Sequence, residues 1–374
     1  MHFDFTADEI ARCERVGALI DPALEKALEA GEAAGAAVKT ALTKLAADGY
    51  LTLGLVAETP AAAAARLAAM EALAARAPAL FLIVEFSTRL LGRAIATWGT
   101  PAQKTRWLEG LTAGGWLGAL ALSEQTLNVD NDPLETRGEP CKGEVVLNGY
   151  KGFVINAPLA ERAGVVGQFG AAPAVFMVER GAPGLEIDTR ISTLGYDGLH
   201  IAAVKFNACR LVEADIICAP GEEDLLARLR LWENEILMAA ALGLMQTALN
   251  EARAYAKTHR TGGKPIIAYQ EVGFKLAEML TLQQTAQLLA YRSAWTALAE
   301  PKAAVSLNWC AKVFCTEAAE RVCGEALRIL GAAGFRAGSA AAKAYRAVKL
   351  TQISGTSTEI ARVKIGDDAL GYRR

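Results

Sequence analysis

The sequence predicts an α+β protein, with a helical N-terminal domain, a β-barrel middle domain and a C-terminal four-helix bundle. Three observations support this. Residues 1–118 and 220–374 repeat apolar side chains at three- and four-residue spacing. Residues 119–219 instead carry short runs rich in Val, Ile and Phe, punctuated by Gly, Pro and Asn. At 374 residues, the chain also exceeds the usual size of one domain.

The first helix is expected in TADEIARCERVGALI, where Thr6 caps an acidic first turn. LEKALEAGEAAGAAVKTALTKLAADGYL and AAAAARLAAMEALAARAPALFLIVEFSTRLLGRAI continue the helical period. Alanine at this density combines the best helix propensity with little bulk, which suits closely packed helices. GEVVLNGYKGFVINA, AVFMVER and IAAVKFNACRLV read as strands. From residue 224 the chain returns to three long helical patterns, beginning with DLLARLRLWENEILMAAALGLMQTALNEARAYAKTH.

Composition narrows the function. Hydrophobic residues make up 52%, enough for a large core, and the net charge of −2 argues against a nucleic-acid partner. No run of about 18 apolar residues is free of polar breaks, so no membrane span is expected. The N-terminus is amphipathic rather than signal-like. Seven scattered cysteines without CxxC spacing read as reduced thiols of a cytoplasmic protein. Three histidines give little material for a metal site or a Ser-His-Asp triad, and no metal is expected.

Five motifs in order carry a resemblance: TPAQKTRWLEGLTAGGWLGALALSE (100–124), LNGYKGFVINA (147–157), YAKTHRTGGKPIIAYQ (255–270), ALRILGAAGF (326–335) and ISGTSTEIAR (353–362). Together the chain resembles the acyl-CoA dehydrogenase family over nearly its whole length. The resemblance implies domains at 1–118, 119–219 and 220–374, an FAD cofactor and an acyl-CoA substrate. It also implies an electron-transferring flavoprotein as acceptor, and a homotetramer or a heterotetramer with a related subunit. The reaction implied is αβ-dehydrogenation: a carboxylate takes the α proton while the β hydrogen leaves as hydride to flavin N5.

The family's usual base precedes Gly-Thr in "YEGT"; here Ser354 stands there, and a hydroxyl cannot do that work alone. Isovaleryl-CoA-type members place the glutamate on the first bundle helix, and WENEILMAAALGLMQ (232–246) sets Glu233 at that position, with Asn234 where the family usually has Arg. Trp232, Ile236, Met238 and Ala239 flank Glu233, an apolar setting that would raise a carboxylate's pKa. Glu235 is the alternative, and reads equally as a solvated first-turn acid.

For the cofactor, the resemblance implies Ser123 at the flavin pyrimidine edge, Phe153 as the ring wall and Ile155 where a Thr bonds near N5. It also implies His259 or Arg260, Arg328 and Gly331 around the FAD pyrophosphate. Thr356 and Ser357 are expected to form an anion nest with the amides of the Gly355 turn. Val129, Asp197, Ser354 and Gly355 fall at substrate positions; Asp197 either repels carboxylated acyl groups or caps a turn. Two further readings stay open: a degenerate partner subunit of a heteromeric dehydrogenase, or a related protein with a different reaction.

Overall fold

The computed structural model describes residues 5–31, 33–125, 133–221 and 223–372. The N-terminal part is helical. It begins with α1 (Ala7–Leu19), α2 (Pro22–Ala30), α3 (Ala34–Ala47), α4 (Pro60–Arg76) and α5 (Pro78–Glu85). It ends with α6 (Arg93–Trp98), α7 (Pro101–Gln103) and α8 (Glu109–Thr112). Thr6 caps α1 with a full capping box, its side chain taking the Glu9 amide while Glu9 returns to the Thr6 amide. α5 has no side-chain cap of its own sequence. Glu25 of α2 supplies one, accepting from the amides of Ala79 at 2.8 Å and Leu80 at 3.2 Å.

Between α5 and α6 the chain opens into a π-helical stretch, Phe86–Gly92. The wider turn sends Ser87 Oγ to the amide of Gly118 at 2.8 Å, pinning the first strand to the helices.

Eight strands follow: β1 (Gly118–Ala121), β2 (Arg137–Cys141), β3 (Glu144–Ile155), β4 (Arg162–Phe169), β5 (Ala172–Glu179), β6 (Leu185–Ile187), β7 (Ile201–Leu211) and β8 (Ile216–Cys218). Their order is β6-β7-β3-β2-β4-β5-β8, with β1 parallel to β4. The expected barrel is therefore an open sheet among the described residues, because the end strands β6 and β8 do not pair. Its inner face has its own core, including Val145, Leu147, Val165, Phe176 and Phe206. Asn156 just beyond β3 has φ +72° and donates to the carbonyls of Ile83 and Gly118 at 2.8 and 3.0 Å. That fixes the end of β3 against both the helices and β1.

The bundle is α9 (Leu225–Thr258), α10 (Gln270–Ala299), α11 (Pro301–Leu330), α12 (Ala340–Ile353) and α13 (Thr358–Ala369), with a short hairpin of β9 (Arg260–Thr261) and β10 (Lys264–Pro265). α9 is the central rod, buried along most of its length between α4, α10, α11 and α12. Gly243 permits its approach to α4: a Cβ there would lie 2.5 Å from the Ala75 amide nitrogen. Among the described residues, no helix is long and apolar enough to cross a membrane.

Candidate active site

α9 begins at Leu225, where Asp224 caps the Ala227 amide at 3.0 Å. Glu233 and Glu235 thus lie in the third turn, beyond the N-terminal dipole. Glu235 is not the solvated acid that its sequence allowed. It is buried between Arg66 and Arg93, with Arg93 Nη1 at 3.1 Å. Burial pushes its carboxyl upward, but the two guanidiniums outweigh this and hold it below the usual carboxylate range.

Glu233 is also buried, but its carboxylate is not in a purely apolar setting as the flanking residues suggested. Oε2 accepts from Arg230 Nη1 at 2.7 Å, and Oε1 accepts from the amide of Gly355 at 3.1 Å. Its apolar neighbours in sequence, Trp232, Ile236, Met238 and Ala239, pack in the core.

The Gly355 turn joins α12 to α13. Ser354 ends α12 in extended conformation, Gly355 adopts φ +68°, and Ser357 Oγ caps α13 by accepting from the Ile360 amide at 3.3 Å. Gly355 is required twice over, because a Cβ would also sit 2.5 Å from Asn234 Oδ1.

Two buried side chains hold the turn from beneath. Asn234 Oδ1 accepts from the Thr356 amide at 2.9 Å, and its Nδ2 donates to Thr356 Oγ1 at 3.3 Å. Lys312 Nζ donates to the carbonyls of Ser354 and Thr356, both at 3.1 Å. Burial pushes Lys312 down to about 8, against the pull of Glu233 and Glu359. The expected anion nest is thus engaged internally: the Gly355 amide serves Glu233, while the amide and hydroxyl of fully buried Thr356 serve Asn234.

Above the turn lies a cavity of about 250 Å³. Phe86 and Leu90 of the π-helical stretch form one wall, and Leu120, Leu122, Ser123, Phe153 and Ile155 of the sheet form another. Glu233, Arg230, Ser354 and Gly355 supply its polar side, with Leu350 and Ile353 at the end of α12.

Ser123 owes its place to two anchors in the sheet. The Gly152 amide donates to the Ser123 carbonyl at 3.0 Å, and fully buried Lys151 donates to the Leu122 carbonyl at 3.0 Å and to Glu124 Oε1 at 2.7 Å. Burial pushes Lys151 down to about 8, opposed by Glu124. The Glu124 carboxylate also takes the amides of Glu135 and Thr136, at 2.6 and 2.9 Å.

Six of the expected residues therefore meet at one cavity: Glu233, Ser123, Phe153, Ile155, Ser354 and Gly355. Others stand elsewhere on the chain. His259 is exposed and stacks on Tyr255, with ring centroids 4.6 Å apart, while Arg260 bonds the Gly263 carbonyl within its hairpin. Arg328 is exposed and pairs with Glu325 at 2.6 Å, and Gly331 closes α11 with φ +55°. Asp197 does not line the Glu233 cavity; it is exposed and pairs with Arg346 at 3.1 Å. Val129 lies outside the described residues. Sequence reasoning missed Arg230, although its spacing of three before Glu233 on a helix signals the pair. It also missed Lys312, which sits in an unremarkable helical run with no local signal.

The comparisons decide the family. The acyl-CoA dehydrogenase N-terminal domain matches residues 6–115, and the acyl-CoA dehydrogenase C-terminal domain matches residues 230–370. A mitochondrial short-chain specific acyl-CoA dehydrogenase of Homo sapiens is 30% identical over 312 residues, 82% of this chain and 76% of that one. The chain belongs to the acyl-CoA dehydrogenase family. Another relative, a mitochondrial isovaleryl-CoA dehydrogenase of Oryza sativa, is 30% identical over 280 residues, 72% of this chain and 67% of that one. The butyryl-CoA dehydrogenase structure from Megasphaera elsdenii superposes with a TM-score of 0.89 at 22% identity, covering 99% of this chain and 100% of that one.

The cofactor of this acyl-CoA dehydrogenase-family chain is FAD. The cavity fits the ring portion of such a group: Phe153, Ile155 and Leu122 offer an apolar wall, and the half-buried Ser123 brings a hydroxyl to it.

Proposed function

We propose that the chain dehydrogenates an acyl-CoA thioester across its α and β carbons, with Glu233 as the base. One observation carries this reading. The Glu233 carboxylate hydrogen-bonds the amide next to Ser354, so a side chain from α9 brings the acid to the turn whose own acid has become a serine. FAD, when bound, supplies the acceptor for the β hydride.

The residues of the chain do the rest. Phe153, Ile155 and Ser123 would hold the flavin ring, and Glu233 removes the α proton. The walls built from Phe86, Leu90 and Leu120 keep water from the carboxylate and favour a bulky or branched acyl group beside the small Ser354. The exposed His259, Arg260 and Arg328 are proposed to serve the FAD of a neighbouring subunit in a homotetramer or heterotetramer. An electron-transferring flavoprotein is the proposed acceptor.

A second reading, a partner subunit that has lost turnover of its own, draws on Ile155, whose side chain offers no hydrogen bond, and on the internally engaged turn. The visible spectrum separates the two. Loaded with FAD, the isolated chain is expected to be yellow and to bleach anaerobically on adding acyl-CoA. A yellow protein that no acyl-CoA bleaches would favour the partner reading.

A further inference from the structure

A second cavity, of about 190 Å³, lies where the N-terminal helices, the sheet and the bundle meet. Among the described residues it shares no lining residue with the Glu233 cavity. Glu25 of α2, Arg76 at the end of α4, Tyr196 in the loop between β6 and β7, and Lys343 of α12 line its polar side. Pro78, Leu244 and Ala344 line its apolar side. We propose that this cavity binds a small primary amine as its ammonium ion, the charge against Glu25 and the Tyr196 hydroxyl and the alkyl chain along the apolar side.

Two groups here lack the partners that their burial calls for. The Glu25 carboxylate takes the amides of Ala79 and Leu80, but among the described residues it forms no ion pair. A carboxylate taken from water without a counter-charge is costly, and a bound cation would supply one. Tyr196 is 6% exposed, and its hydroxyl has no hydrogen-bond partner among the described residues. The loop that carries it is pinned. Arg346 Nε donates to the Leu194 carbonyl at 3.0 Å, and a Cβ on Gly195 would stand 2.6 Å from the Ala347 amide nitrogen.

An ammonium has three donors, enough to serve both the Glu25 carboxylate and the phenolic oxygen. An alcohol could bond Tyr196 but would leave the charge of Glu25 uncompensated. An anion would meet Glu25, Glu29 and Asp197, which all line the cavity. The cations already present are engaged. Lys343 pairs with Glu29 at 2.5 Å, and Arg76 Nε donates to the Ile20 carbonyl at 2.9 Å. Asp197 is taken by Arg346 at 3.1 Å.

The same arrangement makes binding depend on pH. Burial pushes the Glu25 carboxyl up to about 7, helped by Glu29 and opposed by the two amides and Lys343. Glu25 therefore changes charge between pH 6 and pH 8, while an alkyl ammonium keeps its own. Two further groups border the site. His200 bonds the Leu28 carbonyl at 3.3 Å, and burial and Arg190 hold it below its ordinary value of 6.5. Cys323 of α11 acts on Tyr196, and burial raises its thiol, which stays neutral in this range.

The test titrates n-butylammonium chloride into the FAD-loaded protein by calorimetry at pH 8 and pH 6, with 1-butanol and sodium butyrate as controls. At pH 8 the amine is expected to bind with a Kd on the order of 1 mM, the range open to so small a ligand. At pH 6 most of Glu25 is protonated, and affinity should fall about tenfold. Butanol and butyrate should bind at least about tenfold more weakly than the amine at pH 8. E25Q is expected to lower amine affinity at least about tenfold and to remove its pH dependence. Should E25Q lose its fold, Y196F carries the test. Its missing hydroxyl serves no partner in the fold, so the melting temperature should hold while affinity falls about three- to tenfold. No binding of the amine, equal affinity for amine and butanol, equal affinity at the two pH values, or undiminished binding by either variant would overturn the proposal.

Discussion

Asn234 and Thr356 bond each other twice across 122 residues of sequence: the Thr356 amide donates to Asn234 Oδ1 at 2.9 Å, and Asn234 Nδ2 donates to Thr356 Oγ1 at 3.3 Å. The neighbouring Glu233 takes the next amide, that of Gly355. Consecutive residues of α9 thus hold consecutive residues of the turn, and the position of the carboxylate depends on both contacts. Removing Asn234 tests that dependence.

Asn234→Ala leaves the buried Thr356 amide and hydroxyl without partners. A cost of about 1–3 kcal/mol is expected, measured as a lower denaturant midpoint. Because the Gly355 amide of the same turn holds the Glu233 carboxylate, flavin bleaching by acyl-CoA should slow at unchanged FAD content.

Lys312→Met removes the donor to the Ser354 and Thr356 carbonyls while keeping the apolar stem. Each orphaned carbonyl is expected to cost about 1–3 kcal/mol, so this variant should also show a lower denaturant midpoint in the same measurement. Equal stability to the wild type would show that the turn does not depend on Lys312.

Glu25 gives a pH signature far from the Glu233 cavity. Burial raises its carboxyl from 4.5 to about 7, only partly offset by the amides of Ala79 and Leu80. With the folded pKa above the unfolded one, the folded state binds more protons between these values. The contribution of Glu25 to stability is thus full below pH 4.5 and lost as pH rises through 7. Melting temperatures of the wild type and Glu25→Gln, taken at pH 5 and pH 8, should differ more in the wild type's favour at pH 5. A difference independent of pH would remove Glu25 as the titrating group.

Helix periods and the short-strand pattern made the helical and β regions legible, since both follow from local spacing. The open edge between β6 and β8 was not legible, because closure of a sheet depends on strand order set by distant pairing. At the site, Glu233 could be read because it sits at a fixed offset from Ala241-Leu242-Gly243. Its surroundings could not. Trp232 and Ile236 are its neighbours in sequence, yet the carboxylate meets Arg230 and a turn 122 residues away. The same limit explains Glu235, where Arg66 and Arg93 arrive from two N-terminal helices. It also explains Thr356, whose hydroxyl faces inward to Asn234.

The most direct test of Glu233 as base is anaerobic stopped-flow reduction of FAD in Glu233→Gln by a thioester that bleaches the wild type. Glutamine keeps the size and can still accept from the Gly355 amide, but it cannot take the α proton. Bleaching is expected to slow by at least about 10²–10⁴-fold, with the flavin spectrum and FAD content unchanged before substrate is added. Bleaching at the wild-type rate would contradict the account.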